Sequence, residues 1–213
     1  MTPTRGVFVV FEGLDGSGKS SAAKETARAL GAEELTTPSA PVRQFRDELL
    51  SRLGPSQEAH QLFYLSTVFA ASAQVRELLA QGRSVVLDRY FLSTQAYAAF
   101  RGTRLDLDAL GAHPLLTPAD LTVFLEAPLE VRRARVAARG ASAADRETLS
   151  TTAQERLLRE HTRRAGLPVI GRLLRIDTSA CSPERVAEHV LRELGVAAGT
   201  VPKDTYPVLA SRQ

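Results

Sequence analysis

The chain carries a single cysteine, Cys181, among its 213 residues. One thiol excludes an internal disulfide framework and a cysteine-based zinc site. Its ordinary reading is a small apolar residue near a strand end. The four histidines, His60, His113, His161 and His189, show no metal-ligand spacing. No apolar run approaches the roughly 18 residues of a membrane span. Met1–Gly6 lacks the charged-then-apolar layout of an export signal, so a cytoplasmic location is expected. Repeats and long low-complexity tracts are missing too. Charge of one sign is scarce: 27 Lys+Arg against 24 Asp+Glu leave +3. That excess suits small polyanions and falls short of a surface that coats a nucleic-acid polymer.

What remains is an ordinary globular composition. With 44% hydrophobic and 24% charged residues, wholesale disorder is excluded, and the length fits one domain with a full core. The positive charge sits more on arginine than on lysine, and arginine is the better fork for phosphates.

Val7–Phe11 is a continuous apolar run, the pattern of a strand buried on both faces of a parallel sheet. A Gly-rich turn follows, then a helix over Ser20–Leu30 stopped by Gly31. The same grammar returns. A helical stretch over Ala59–Gln81 ends at Gly82, before a strand Ser84–Leu87 that closes on Asp88. Further strands are expected at Leu121–Leu125 and Leu173–Ile176. Ser182 and Pro183 then open a helix that runs through Leu194. Alternating strands and helices predict an α/β fold of three layers, α/β/α, around a parallel sheet. The domain is expected over residues 1–195, and residues 196–213 read as a loosely held C-terminal extension.

Gly13-Leu14-Asp15-Gly16-Ser17-Gly18-Lys19-Ser20 matches the spacing of a P-loop. Chance would produce that pattern in about one chain of this length in a hundred, and here a buried strand precedes it and a helix follows. The glycines let consecutive backbone N–H groups converge on one anion, and the helix adds its positive end. Lys19, expected on an exposed loop, reaches the outer phosphates, and Ser20 offers its hydroxyl to Mg²⁺. The site is expected to bind a nucleoside triphosphate. A cradle alone also suits a GTPase, a motor or a sulfotransferase-like fold. Asp88-Arg89-Tyr90 narrows the choice: at the carboxyl end of a strand, Asp88 can orient Mg²⁺ and Arg89 can clamp a phosphate. Arg132, Arg133, Arg135, Arg139 and Arg146 flank the small-residue stretch Gly140–Ala144, the composition of a mobile lid, expected over about 133–150.

Together these segments resemble the thymidylate kinase family, over nearly the whole chain up to about Val196. The segments that carry the resemblance are Phe8–Ser21, Gln61–Phe69, Leu79–Tyr97, Ala119–Leu125 and Arg175–Ser179. The resemblance implies ATP and Mg²⁺ as cofactors and a nucleoside monophosphate as acceptor, dTMP foremost. It implies that Gly13 through Ser21 bind ATP, that Ser20 and Asp88 hold Mg²⁺, and that Asp15 lies near the acceptor sugar. Phe63 stacks on the acceptor base, Arg89 grips its phosphate, and Tyr97 crowds the sugar 2′ position; Arg46, by residue type alone, is a second cation of the kind a phosphate acceptor requires. Arg146 corresponds to the lid arginine over the transferring phosphoryl group. The loop after Ile176 borders the adenine. A homodimer is also implied, with no nucleic-acid polymer or membrane as partner.

Four departures bear on the acceptor. Thr67 stands where the family has an arginine one helical turn after the stacking phenylalanine, and Ala98 where it has a glutamine. Thr36-Thr37-Pro38 replaces an Arg-Glu-Pro segment, and the stretch from Arg101 to Pro118 is short. Polar base readers can discriminate by up to about 10⁴–10⁵, so their loss predicts relaxed or altered base selectivity. Two rival readings follow. A deoxynucleoside kinase needs a carboxylate to deprotonate a hydroxyl, and Thr36-Thr37-Pro38 offers none at the second strand's end. A nucleotide-binding sensor fits the missing base readers, but it has no use for Lys19, Asp88, Arg89 and Arg146 together.

Overall fold

The computed structural model describes residues 5–141 and 143–196; beyond Val196, the expected C-terminal extension lies outside them. The elements run β1 (Phe8–Gly13), α1 (Lys19–Leu30), β2 (Glu33–Thr36), α2 (Ala40–Arg52), α3 (Gln57–Ala80), β3 (Val85–Asp88) and α4 (Phe91–Phe100). They continue with β4 (Leu121–Glu126), α5 (Leu129–Arg139), α6 (Ala143–Thr148), α7 (Thr151–Arg164), β5 (Arg172–Asp177) and α8 (Pro183–Glu193). All five strands are parallel, in the order β2-β3-β1-β4-β5. This is the expected α/β architecture.

Both faces of the sheet are covered. Successive residues of a strand point to opposite faces. Phe8 and Val10 accordingly join Leu65, Val68, Val75 and Phe91 of α3 and α4, while Val9 and Phe11 pack with Ala22, Ala23, Val186 and Val190 of α1 and α8. Two-sided burial is why β1 reads as an unbroken apolar run rather than an alternating one.

The ends of the elements follow local chemistry. Gly31 stops α1 in the left-handed conformation, φ 60°. Ser56 caps α3, accepting from the Ala59 N–H at 3.2 Å; the helix therefore starts two residues earlier than its apolar pattern indicates. Ser182 caps α8 with Pro183 in its first turn, as expected. Glu33 and Glu34 both lie within β2. In α2, no residue is buried.

Register brings the working ends together. Phe11 of β1 lies beside Asp88 of β3, so the loops leaving these two neighbouring strands share one crevice beyond the carboxyl edge of the sheet. Crevices of this kind are where open parallel sheets bind ligands.

Candidate active site

The turn from β1 to α1 is a cradle made by close packing. A Cβ on Gly13, where φ is 135°, would lie 2.3 Å from the Leu125 carbonyl oxygen of β4. One on Gly16, at φ 82°, would lie 2.7 Å from the Arg132 carbonyl oxygen of α5. Only glycine lets the loop pass between these two backbones. The first turn of α1 follows Gly18, which supplies no side-chain cap. Its N–H groups are thus left for an anion. A cavity of about 420 Å³ opens here, lined by Asp15 through Ala22 together with Arg89, Arg135, Arg139, Thr178, Cys181, Pro183 and Val186.

Lys19 departs from its expected exposure. It is buried at 5% and donates its ammonium to the Leu14 carbonyl at 2.8 Å. The loop folds over its own lysine because Leu14 is itself buried in the core. Burial and the nearby Arg89 guanidinium pull its pKa down to about 8, against the pull of Asp15 and Asp88.

Ser20 donates its hydroxyl to Asp88 Oδ2 at 2.6 Å. The other oxygen, Asp88 Oδ1, is buried without a partner. A buried carboxylate oxygen left unfilled beside a hydroxyl is a hard-oxygen donor set, and it fits Mg²⁺.

Asp15 is the hub. One oxygen is gripped by Arg89, while the other accepts from Tyr97 Oη at 2.9 Å and from Thr148 Oγ1 at 3.3 Å. Burial alone would raise its pKa, but Arg89, Lys19 and the Tyr97 phenol outweigh it and hold the carboxyl well below the usual range. Tyr97 is pushed up by burial and by the Asp15 charge, so its phenol stays protonated. Arg89 also reaches Ser93 Oγ at 3.3 Å and lies over the Tyr97 ring, 5.3 Å from its centroid.

The arginines of the expected lid have three separate fates. Arg132 is fully buried and donates to the Asp15 carbonyl at 2.7 Å and to Gln154 Oε1 at 2.9 Å. Arg135 faces the cavity, bound to the Thr178 carbonyl at 2.6 Å and its hydroxyl at 3.0 Å, and Arg139 beside it pairs with Asp145 at 2.5 Å. Arg146, the expected lid arginine, does not line the cavity. It is exposed on α6 and donates to the Ala141 carbonyl at 2.9 Å. The reason is positional. Arg132, Arg135 and Arg139 share one face of α5 at i, i+3 and i+7, whereas Arg146 follows the break at Gly140. The α6 segment is tethered instead by Glu147, which pairs with Arg101 of the α4 end at 3.0 Å.

The remaining residues expected to meet the acceptor, Arg46, Phe63 and Thr67, lie on α2 and α3, outside this cavity. Phe63 is half-buried, edge-on to Tyr64 at 5.2 Å. Thr67 donates its hydroxyl to the Tyr64 carbonyl at 2.7 Å, and Arg46 pairs with Asp47 at 2.8 Å. The helix that carries Phe63 is pinned to the one that carries Tyr97 by a buried bond from Gln61 Nε2 to Gln95 Oε1, 2.7 Å.

Residues not anticipated from the sequence are Glu12, Arg132 as a fixed strut, Thr148 and Thr178. Glu12 had a visible signal, since it is an acid closing a run of five apolar residues. Thr178 and Thr148 lie in the loop after Ile176 and in the lid, but nothing local shows that they reach the cradle, 161 and 133 positions away, through the Ser17 carbonyl at 2.8 Å and the Asp15 carboxylate.

No helix among the described residues is long and apolar enough to cross a membrane. A family model for thymidylate kinase matches residues 11–179. The chain is 33% identical to a thymidylate kinase of Rhodopseudomonas palustris over 205 residues, 87% of each chain. It is 37% identical to one from Bradyrhizobium over 164 residues, covering 68% of this chain and 70% of that one. The solved thymidylate kinase of Candida albicans has the same fold, with a TM-score of 0.66 and 21% identity over 90% of this chain and 92% of that one. With its glycine cradle, its Asp88-Arg89-Tyr90 turn and these relatives, the chain belongs to the thymidylate kinase family.

Proposed function

We propose that this protein transfers the γ-phosphoryl group of ATP to dTMP, giving dTDP and ADP. The observation that carries this reading is Asp15. It is part of the triphosphate cradle, yet its carboxylate is held by Arg89 and Tyr97, the residues assigned to the acceptor. Donor and acceptor machinery meet in one side chain.

The cradle N–H groups and Lys19 bind the donor phosphates, and the wall of Thr178, Cys181 and Pro183 borders the adenine. Ser20 and Asp88 would hold Mg²⁺, which supplies charge neutralisation between the outer phosphates when bound. Arg89 clamps the acceptor phosphate. Arg135 and Arg139 provide the guanidinium charge over the transferring group that the sequence assigned to Arg146. Tyr97 crowds the sugar, and Phe63 stacks on the base. Catalysis is alignment and electrostatics, since a phosphate acceptor is already anionic and needs no base.

This chemistry also weighs against a nucleoside acceptor. Glu33 of β2 is spent on Arg83, which precedes β3. At the carboxyl edge, Glu12 and Asp15 are committed to donors within the protein, and Asp88, held by Ser20 through one oxygen, is reserved for Mg²⁺. With Thr67 turned onto its own helix and Ala98 apolar, rejection of other bases is weaker than a full set of polar readers would give.

A homodimer belongs to the same reading. Phe45 and Leu49 of α2 and Leu53 at its C-cap form one stripe, 55%, 41% and 43% exposed, and Leu62 of α3 is 51% exposed. A second copy of this face would bury them. Phe45→Glu is expected to shift a dimer to monomer in sedimentation. A cytoplasmic location, where ATP is held, completes the reading.

The deciding experiment couples ADP release to dTMP, dUMP, dGMP and dAMP in turn. Acceptor-dependent ADP with dTMP as the best acceptor is expected. No ADP from any of them would overturn the reading in favour of a nucleotide sensor.

A further inference from the structure

Glu12 is completely buried at the end of β1. It follows Phe8 and Val10 in the alternation that faces α3 and α4. A carboxylate in such a place is costly unless its lone pairs are filled. One turn of chain fills them. The backbone N–H groups of Tyr90 and Ser93 donate to Oε1 at 3.0 and 3.1 Å, and the Ser93 hydroxyl donates to Oε2. These are the orphaned donors at the start of α4, whose N-cap residue Tyr90 supplies no side-chain cap of its own. The cap comes instead from a residue 78 positions earlier.

The turn so held contains Arg89. Among the described residues it is the single non-glycine with positive φ, 69°, a conformation disfavoured for any residue that carries a Cβ. Strain of this kind persists only where the surroundings over-determine it. Here the Arg89 N–H donates to the Phe11 carbonyl at 3.0 Å, and the next N–H, of Tyr90, goes to Glu12. Two consecutive residues of β1 thus fix both peptide planes around Arg89. The left-handed turn sends the guanidinium to Asp15 and over Tyr97.

We propose that Glu12 is a positioning residue for the acceptor-phosphate clamp: by capping α4 it locks the left-handed turn that aims Arg89. The proposal rests on reading Arg89 as that clamp. Arg89 also borders the donor cradle, but the donor phosphates have the cradle N–H groups and Lys19 as well, so the larger effect falls on the acceptor.

The test measures the KM for dTMP and for ATP separately, with thermal melting, in the full chain carrying Glu12→Ala, Glu12→Gln, Arg89→Ala and the paired variants. Glutamine keeps an oxygen for both N–H groups, so it also serves where alanine fails to fold. Glu12→Ala is expected to raise the KM for dTMP about tenfold, the scale of coupling between residues of one network. Glu12→Gln should recover most of that loss, and the KM for ATP should stay within about twofold in both. In the Arg89→Ala background, either Glu12 change should add less than about twofold. Equal rises in both KM values, or an undiminished cost without Arg89, would overturn the proposal and leave Glu12 as a fold residue. If Arg89→Ala leaves the KM for dTMP unchanged, the clamp reading itself falls and this proposal with it.

Discussion

Arg132 donates its Nε–H to the backbone carbonyl of Asp15 at 2.7 Å, across 117 positions of sequence. The same guanidinium binds Gln154 of α7 at 2.9 Å and the Thr148 carbonyl of α6 at 3.5 Å. One buried cation thus ties the cradle to the segment that covers it. Arg132→Met should leave these acceptors unpaired and lower the unfolding free energy by about 3 kcal/mol, read from urea denaturation. A loss below about 1 kcal/mol would mean that the strut carries no load.

The depressed Lys19 pKa sets an alkaline limit. In the free enzyme the ammonium is expected to lose its proton near pH 8, so kcat/KM for ATP should fall above that pH. Lys19→Arg should move the limb upward, since guanidinium does not titrate in this range. A profile flat to pH 9.5 would contradict the assignment.

Stability should respond to Lys19 in the opposite sense. Its folded pKa lies below the ordinary 10.5, so between about pH 8 and 10.5 the unfolded chain binds more protons and stability rises with pH. Below pH 8 the full cost of the buried charge is present. Lys19→Met is therefore expected to abolish transfer while raising the urea midpoint at pH 7 in the nucleotide-free protein. Loss of both activity and stability would refute this account.

His161 makes the fold acid-sensitive. It is buried behind Tyr97 and Phe124, and burial pushes its pKa down to about 3. As pH falls from 6.5 toward 3, the unfolded chain takes up a proton that the folded chain refuses, so stability drops. The loss is about 2 kcal/mol by pH 5. His161→Phe should flatten melting temperature between pH 7 and 5, and an unchanged slope would assign the loss to other groups.

Thr67 offers a direct test of base reading. Its hydroxyl is spent on its own helix, while an arginine there would put five N–H donors on the Phe63 face. Thr67→Arg is expected to raise the kcat/KM ratio of dTMP over dCMP about tenfold. No change in that ratio would show that position 67 does not face the base.

The core of the site was readable where chemistry is local. An apolar strand, three glycines at fixed spacing and a helix start identify the cradle from a dozen neighbouring residues, and Asp88-Arg89 declares itself by ending a strand. Serine and proline marked the start of α8 for the same reason. What stayed hidden depends on distant chain. Nothing near Lys19 in sequence shows that Leu14 and the core close over it, and nothing near Glu12 announces the turn it caps. The arginines of α5 could have been sorted by helical period, since Arg132, Arg135 and Arg139 share a face that Arg133 does not. Arg146, beyond the break at Gly140, does not belong to that face. The apolar stripe of α2 went unread because its leucines and phenylalanine are what a core helix would also carry.

The grip of Arg89 on Asp15 has a consequence for how the acceptor arrives. Arg89 is neutralised by an internal counter-ion, so on the proposed reading an incoming acceptor phosphate does not fall onto a bare charge. It must then compete for the guanidinium with a carboxylate that belongs to the protein, one whose other oxygen stays held by Tyr97 and Thr148. Entry on that reading is an ion exchange, in which the swap that admits the nucleotide also orients it.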